Sequence, residues 1–151
     1  MKTILLLLAI GFSLKSFGKE IKHKVDVNDD TVVVDSKPWF ILEKFKSTPG
    51  TLSYYIKDLT GKKLAFLKSD SYKDPKEVSA SNPTGQISYF ELTFLESEEK
   101  AEFPMFLRPS KIAEYLVKQG LMEDGKLTEA SEKEFILVNG QPFSKKRNEL
   151  R

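Results

Sequence analysis

The order of hydrophobic periods along this chain predicts an α+β domain: an antiparallel β-meander of about seven strands, as an open sheet or a partly closed barrel, followed by two C-terminal helices. Three observations carry the prediction. Short apolar runs of period two recur up to residue 107, separated by Gly, Pro, Asn and Asp. After Pro109 the period becomes helical, and Gly120 and Gly140 stand where two helices would stop. Cysteine is absent, so a single domain has to be held by burial alone.

Residues 1–18 are set apart from that domain. Met1-Lys2 leads into the apolar run Ile4 to Leu14, with small residues at Ser16 and Gly18. The run is shorter than the ~20 residues that a membrane-spanning helix requires. It has the three parts of a secretory signal, with cleavage expected after Gly18. The expectation is one globular domain over residues 19–151, exported to a periplasm or beyond. With no cysteine to carry a lipid, a soluble product without a stable membrane anchor is expected. The full chain has 24 Lys and Arg against 22 Asp and Glu. Lys2 and Lys15 leave with the signal, so the mature chain is balanced and offers no charge-based reason to bind nucleic acid.

Each strand has its own signal. Ile21 to Val27 alternates apolar and polar residues, Asn28-Asp29-Asp30 is a turn, and Thr31 to Val34 is β-branched throughout. After Asp35-Ser36-Lys37-Pro38, the run Trp39 to Phe45 is apolar on both faces at its start, as in a central strand. Leu52 to Lys68 forms a hairpin around Thr60-Gly61, where glycine supplies the positive φ of a tight turn. Ser69 to Gln86 is polar and contains Pro75, Pro83 and Gly85, and is expected to be a long surface loop. In Ile87 to Leu95, Phe90, Leu92 and Phe94 share the expected core face. Ala101 to Leu107 contains Pro104, which argues for a strand that lies at an edge or carries a bulge.

The helical part begins after Pro109. Ser110 is the expected N-cap of a helix over 111–119, which shows Ile112, Tyr115 and Leu116 at helical spacing. Thr128 or Ser131 caps the second helix, which ends near Asn139-Gly140 and docks through Phe135, Ile136 and Val138. Ser131 with Glu134 also fits a capping box. The tail SKKRNELR is charged and expected to fray.

Most chemistries lack their residues. His23 is the single histidine and no G-x-S-x-G occurs, so catalytic residues of the Ser-His or Cys-His kind are not assigned. Alternation puts His23 on a strand face with Ile21 and Val25. No cofactor motif is present, and zinc lacks clustered Cys or His. Asp26, Asn28, Asp29 and Asp30 crowd together, but the glycine and the distal glutamate of a calcium loop are missing, so no metal site is assigned. Glu91, Glu96, Glu98, Glu99 and Glu102 surround one hairpin. Two of them, or Asp58 with one of them, could act as acid and base only if held ~5 to 10 Å apart across a cleft. The amphipathic aromatics Trp39, Tyr54, Tyr72 and Tyr89 are the candidate ligand-binding residues.

The segments VVVDSKPWF and IKDLTGKKL, followed by a helical pair, resemble small exported bacterial β-meander proteins with no assigned activity, over residues 31 to 140. The resemblance implies no catalytic residue. The function expected is therefore that of an exported, non-catalytic binding or interaction module with a small-molecule or protein partner. The alternatives are a carboxylate-dependent hydrolase and a structural envelope component. If the loop after Lys68 covers an apolar pocket, the ligand is a small molecule; if an aromatic sheet face is open, it is a polymer or a protein.

Overall fold

The structure is a computed structural model and describes residues 22–151; the expected signal over residues 1–18 and the first residue of the expected strand, Ile21, lie outside the described residues. Seven antiparallel strands form one open sheet in chain order. They are β1 Val25–Asn28, β2 Thr31–Val34, β3 Lys37–Phe45, β4 Ser53–Lys57, β5 Lys63–Lys73, β6 Gln86–Phe94 and β7 Lys100–Pro104. Three helices follow: α1 Pro109–Lys118, α2 Glu129–Asn139 and α3 Pro142–Glu149. The meander and the two helices expected after it are thus present, and the tail expected to fray forms the short α3. The strand rich in β-branched and aromatic residues, β3, is internal, and β7, which carries Pro104, is an edge.

Turn chemistry sets the register. Asp29 and Asp30 have φ of 45° and 66°, and Asp35 and Ser36 have 51° and 67°. Positive φ at both central residues is the two-residue hairpin geometry whose twist matches that of the strands. The Asp35 carboxyl also accepts the Lys24 N–H at 2.9 Å and lies 2.6 Å from His23 Nδ1. Those bonds, the histidine contact first, hold its pKa below the usual carboxylate range. His23 therefore precedes the sheet as an exposed turn partner rather than a strand residue, because β1 starts only at Val25. At the β4–β5 turn, Asp58 accepts from Thr60 N, Thr60 Oγ1 and Lys62 N, and Gly61 takes φ 90°.

One face of the sheet carries the core. Val32, Val34, Phe40, Leu42, Tyr54, Ile56, Leu67, Phe90, Leu92, Phe94 and Phe103 are all buried there, covered by Ile112, Leu116 and Phe135 of the helices. Phe103 stacks on Tyr115 at 4.8 Å and meets Phe135 edge-on at 6.2 Å. Helix α1 starts earlier than Ser110 suggests: Arg108 is the N-cap and Pro109 opens the helix, where a missing N–H costs nothing. Of the two caps open for α2, Thr128 is used, in a reciprocal box with Ser131. The buried Ser131 hydroxyl also donates to the Leu121 carbonyl at 3.0 Å, tying α2 to the preceding connection.

The chain then crosses the edge of the sheet. Glu102 N of β7 donates to the Gly140 carbonyl at 2.8 Å, satisfying an edge N–H. Beyond it, α3 lies on the opposite face. The buried Glu102 carboxyl accepts from Phe143 N and Ser144 N at 2.8 and 3.0 Å, capping the orphan donors at the start of α3. The Phe143 ring stacks on Tyr89 at 5.0 Å, and Arg147 pairs with Asp70.

The polar segment after Lys68 divides differently from its composition. Ser69 to Lys73 completes β5, paired residue for residue with β6. The loop proper is 74–85, opened by a single 3₁₀ turn at Pro75–Glu77 that Asp74 caps through Lys76 N. It is bonded to itself: Asp74 N donates to the Gly85 carbonyl, and Asn82 Oδ1 accepts from Gln86 N. A Cβ on Gly85 would lie 2.3 Å from the Asp74 carbonyl oxygen, so the closure depends on glycine.

Candidate functional site

The aromatic candidates do not converge. Tyr54 is buried in the core at 1% exposure, edge-on to Phe90 at 6.4 Å. Tyr89 lies on the opposite face but under α3, fully buried, with its hydroxyl donating to Asp70 Oδ2 at 3.2 Å. Burial, followed by the charge of Asp70, raises its phenol pKa far above the ordinary value of 10.0. Tyr72 is half-buried and packs on Tyr89 at 6.2 Å. Trp39 is partly buried near His23, with its backbone beneath Gly125. Tyr72 and Tyr89 therefore touch on the outer face, while Tyr54 lies in the core on the other face and Trp39 beside His23.

The glutamates of the β6–β7 hairpin are also dispersed. Glu91 pairs with Lys100 at 2.9 Å, Glu102 caps α3, and Glu96, Glu98 and Glu99 lie on the exposed tip. Asp58 is occupied by its own turn, whose N–H and hydroxyl bonds, Thr60 first, hold its pKa below the usual carboxylate range.

What the fold does assemble is a groove of about 820 Å³ between α2 and the end of the sheet formed by the β4–β5 turn and the β6–β7 tip. Three segments build it. From the sheet come Lys62, Leu64, Glu96, Ser97 and Glu99; from the turn before α2, Leu127 and Thr128; from α2 itself, Glu129, Glu132, Lys133, Ile136 and Leu137. The α2 positions recur at intervals of three and four, so they form one stripe of the helix. That stripe is beside the one that docks: Phe135 is fully buried, whereas Leu137 is 84% exposed. Val138, expected to dock the helix, is 65% exposed instead, and Ile136 is half-buried at the groove.

Leu64 reaches the groove through an irregularity. The pairing of β4 with β5 slips at Ile56/Lys57, and Leu64, opposite the slip, packs against the core. A bulge of this kind redirects a side chain. Leu64, Leu127 and Ile136 form the apolar floor, each partly buried against the core. The walls are held together by the Ser97 hydroxyl, which donates to Glu132 Oε1 across the groove. Glu129 pairs with Lys133 one turn along α2, and that bond holds its carboxyl below the usual carboxylate range.

A second, aromatic surface lies on the outer face of the sheet. Phe45 meets Tyr55 edge-on at 5.7 Å, Tyr55 lies 5.1 Å from Phe66, and Lys63 Nζ sits 4.0 Å over the Tyr55 ring. These rings are inclined to one another by 70° and 46°, so they form a ridge rather than a flat platform. No group of three or more His, Cys, Asp or Glu able to hold a metal occurs among the described residues, and none of their helices is long and apolar enough to cross a membrane. Comparison with protein-family models, curated proteins and solved structures finds no match to the chain.

Proposed function

We propose that the chain is an exported, non-catalytic binding module and that its ligand-bearing surface is the groove beside α2. One observation carries the reading: Leu137 stands 84% exposed above the partly buried Leu64, Leu127 and Ile136, in a groove of about 820 Å³. A concave site of ~300–1,000 Å³ with an apolar floor and a few polar groups is the usual form of a binding pocket. An apolar side chain held in water at such a rim contributes little to folding and gains burial when a partner covers it.

The glutamates gathered at the groove favour a second reading, the carboxylate hydrolase. A general acid needs a raised pKa, whereas Glu129 is held low by Lys133, and Glu132 accepts from Ser97. The binding reading therefore stands first.

The test uses N-phenyl-1-naphthylamine, an uncharged apolar dye, with the wild-type chain and Leu137→Asp. Saturable fluorescence enhancement with the wild type, reduced at least tenfold in the variant at unchanged melting temperature, supports the reading. Equal enhancement in both proteins contradicts it.

A further inference from the structure

The chemistry of the groove's rim selects among possible ligands. Four glutamates line it, Glu96, Glu99, Glu129 and Glu132, against two lysines, Lys62 and Lys133. Lys133 is already paired with Glu129, so an incoming ligand meets a net negative rim above an apolar floor. Glu96 and Glu99 are not neutralised by local rearrangement around Lys133, because they belong to the opposite wall, on the exposed β6–β7 tip. Free anionic lipids, nucleotides and acidic glycans are repelled by such a rim at low ionic strength.

The length of the site limits the ligand further. The α2 stripe runs from Glu129 to Leu137, which at ~1.5 Å per residue is a wall roughly 12 Å long. An extended peptide rises ~3.3 Å per residue, so about four residues span it. Along α2 the apolar Ile136 and Leu137 lie at one end and the carboxyls of Glu129 and Glu132 at the other, with Leu127 in the turn before them and the β6–β7 tip opposite, where Ser97 bonds Glu132.

Resting on the binding reading above, we propose that the groove takes a short cationic peptide segment of a partner protein, with an apolar side chain on Leu64, Leu127, Ile136 and Leu137 and an adjacent Lys or Arg held among Glu96, Glu99 and Glu132. The apolar contact supplies most of the burial, and the glutamates select the sign of the charge beside it. Such rim charges act chiefly on association rate and partner choice, and their effect falls with salt.

Two fluorescein-labelled, amidated hexapeptides of equal apolar content test this, one with alternating Lys and Leu and one with alternating Glu and Leu, titrated by anisotropy at ~20 mM and ~500 mM salt. The lysine peptide is expected to bind at least tenfold tighter at low salt. That preference should shrink at high salt and in the double variant Glu96→Gln/Glu99→Gln, whose residues lie on the exposed tip and cap no buried group. Leu137→Asp should weaken the lysine peptide by removing its apolar contact. Equal binding of the two peptides, or a preference unmoved by the double variant, overturns the charge assignment while dye binding leaves the groove reading standing. Loss of peptide and dye binding alike from the wild type overturns both. A calcium-induced change at Glu99 or Glu132 with no peptide binding assigns the rim to a cation and also overturns the proposal.

Discussion

Replacing Glu102 by Ala tests the least expected part of the architecture, the attachment of α3 to the outer face of the sheet. The Glu102 carboxyl is 1% exposed and accepts two N–H groups from the first turn of α3. A hydrogen bond to a charged acceptor contributes ~1.5–3 kcal/mol and a partly buried carboxyl at a helix N-terminus up to ~2 kcal/mol more, against a desolvation cost of several kcal/mol. The net contribution worked from these terms is about 2 kcal/mol. An eight-residue helix is marginal alone, so losing that much should release α3 locally. The core face is separate from α3, and Phe90, Leu92 and Phe103 stay packed there. Hydrogen exchange should therefore show lost protection over residues 143–150 with strand protection retained. Tyr89, no longer under Phe143, should titrate closer to 10.0, the ordinary value. Both N–H groups go to the one oxygen Oε2, so Glu102→Gln keeps an acceptor for them, loses only the charge and should cost less than Glu102→Ala. Unchanged protection of α3 in Glu102→Ala would refute the reasoning, as would uniform loss across the sheet.

Other outcomes follow from the same contacts. Phe103→Ala removes the ring between Tyr115 and Phe135 and should cost ~3–5 kcal/mol of global stability in a urea titration. Gly125→Ala should destabilise more than Gly61→Ala in thermal melts. Both glycines have positive φ, but a Cβ at 125 would meet the Trp39 carbonyl oxygen at 2.8 Å, whereas nothing lies within 4 Å at 61. The attachment of α3 should also be strongest between roughly pH 4 and pH 10. Despite burial, bonds from Ser71, Arg147 and Tyr89 place the Asp70 carboxyl below 3.8, so its contribution is present above that pH and lost as pH falls through the folded value. The Tyr89 phenol is raised, so its contribution is complete below 10.0 and lost as pH rises toward the folded value. Hydrogen exchange of α3 across that range, showing protection flat to both extremes, would contradict the assignment.

The meander was legible in the sequence because each of its signals is local. Asp29-Asp30, Asp35-Ser36 and Thr60-Gly61 mark turns by residue type, and alternation in Phe90, Leu92 and Phe94 names the core face. The end of β5 was hidden because Ser69 to Lys73 is polar, and what makes it a strand is supplied from elsewhere. Ser69 Oγ accepts from Leu52 N, and Asp70 is held by Tyr89 and by Arg147, 77 positions later. Alternation leaves Tyr89 on the face opposite Phe90, but nothing local shows that Phe143 of α3 covers it. The groove had one partial signal, the recurrence of Glu129, Glu132, Lys133, Ile136 and Leu137 along α2. Its other wall comes from two turns whose approach to α2 depends on the sheet register, which no local pattern reveals.

Methyl NMR of the leucine and isoleucine side chains tests the central claim most directly, with N-phenyl-1-naphthylamine added to the wild-type chain. Binding in the groove predicts shifts at Leu64, Leu127, Ile136 and Leu137, with the methyls of Ile41 on the outer face unmoved. Shifts confined to that outer face, with the four groove residues still, would contradict it.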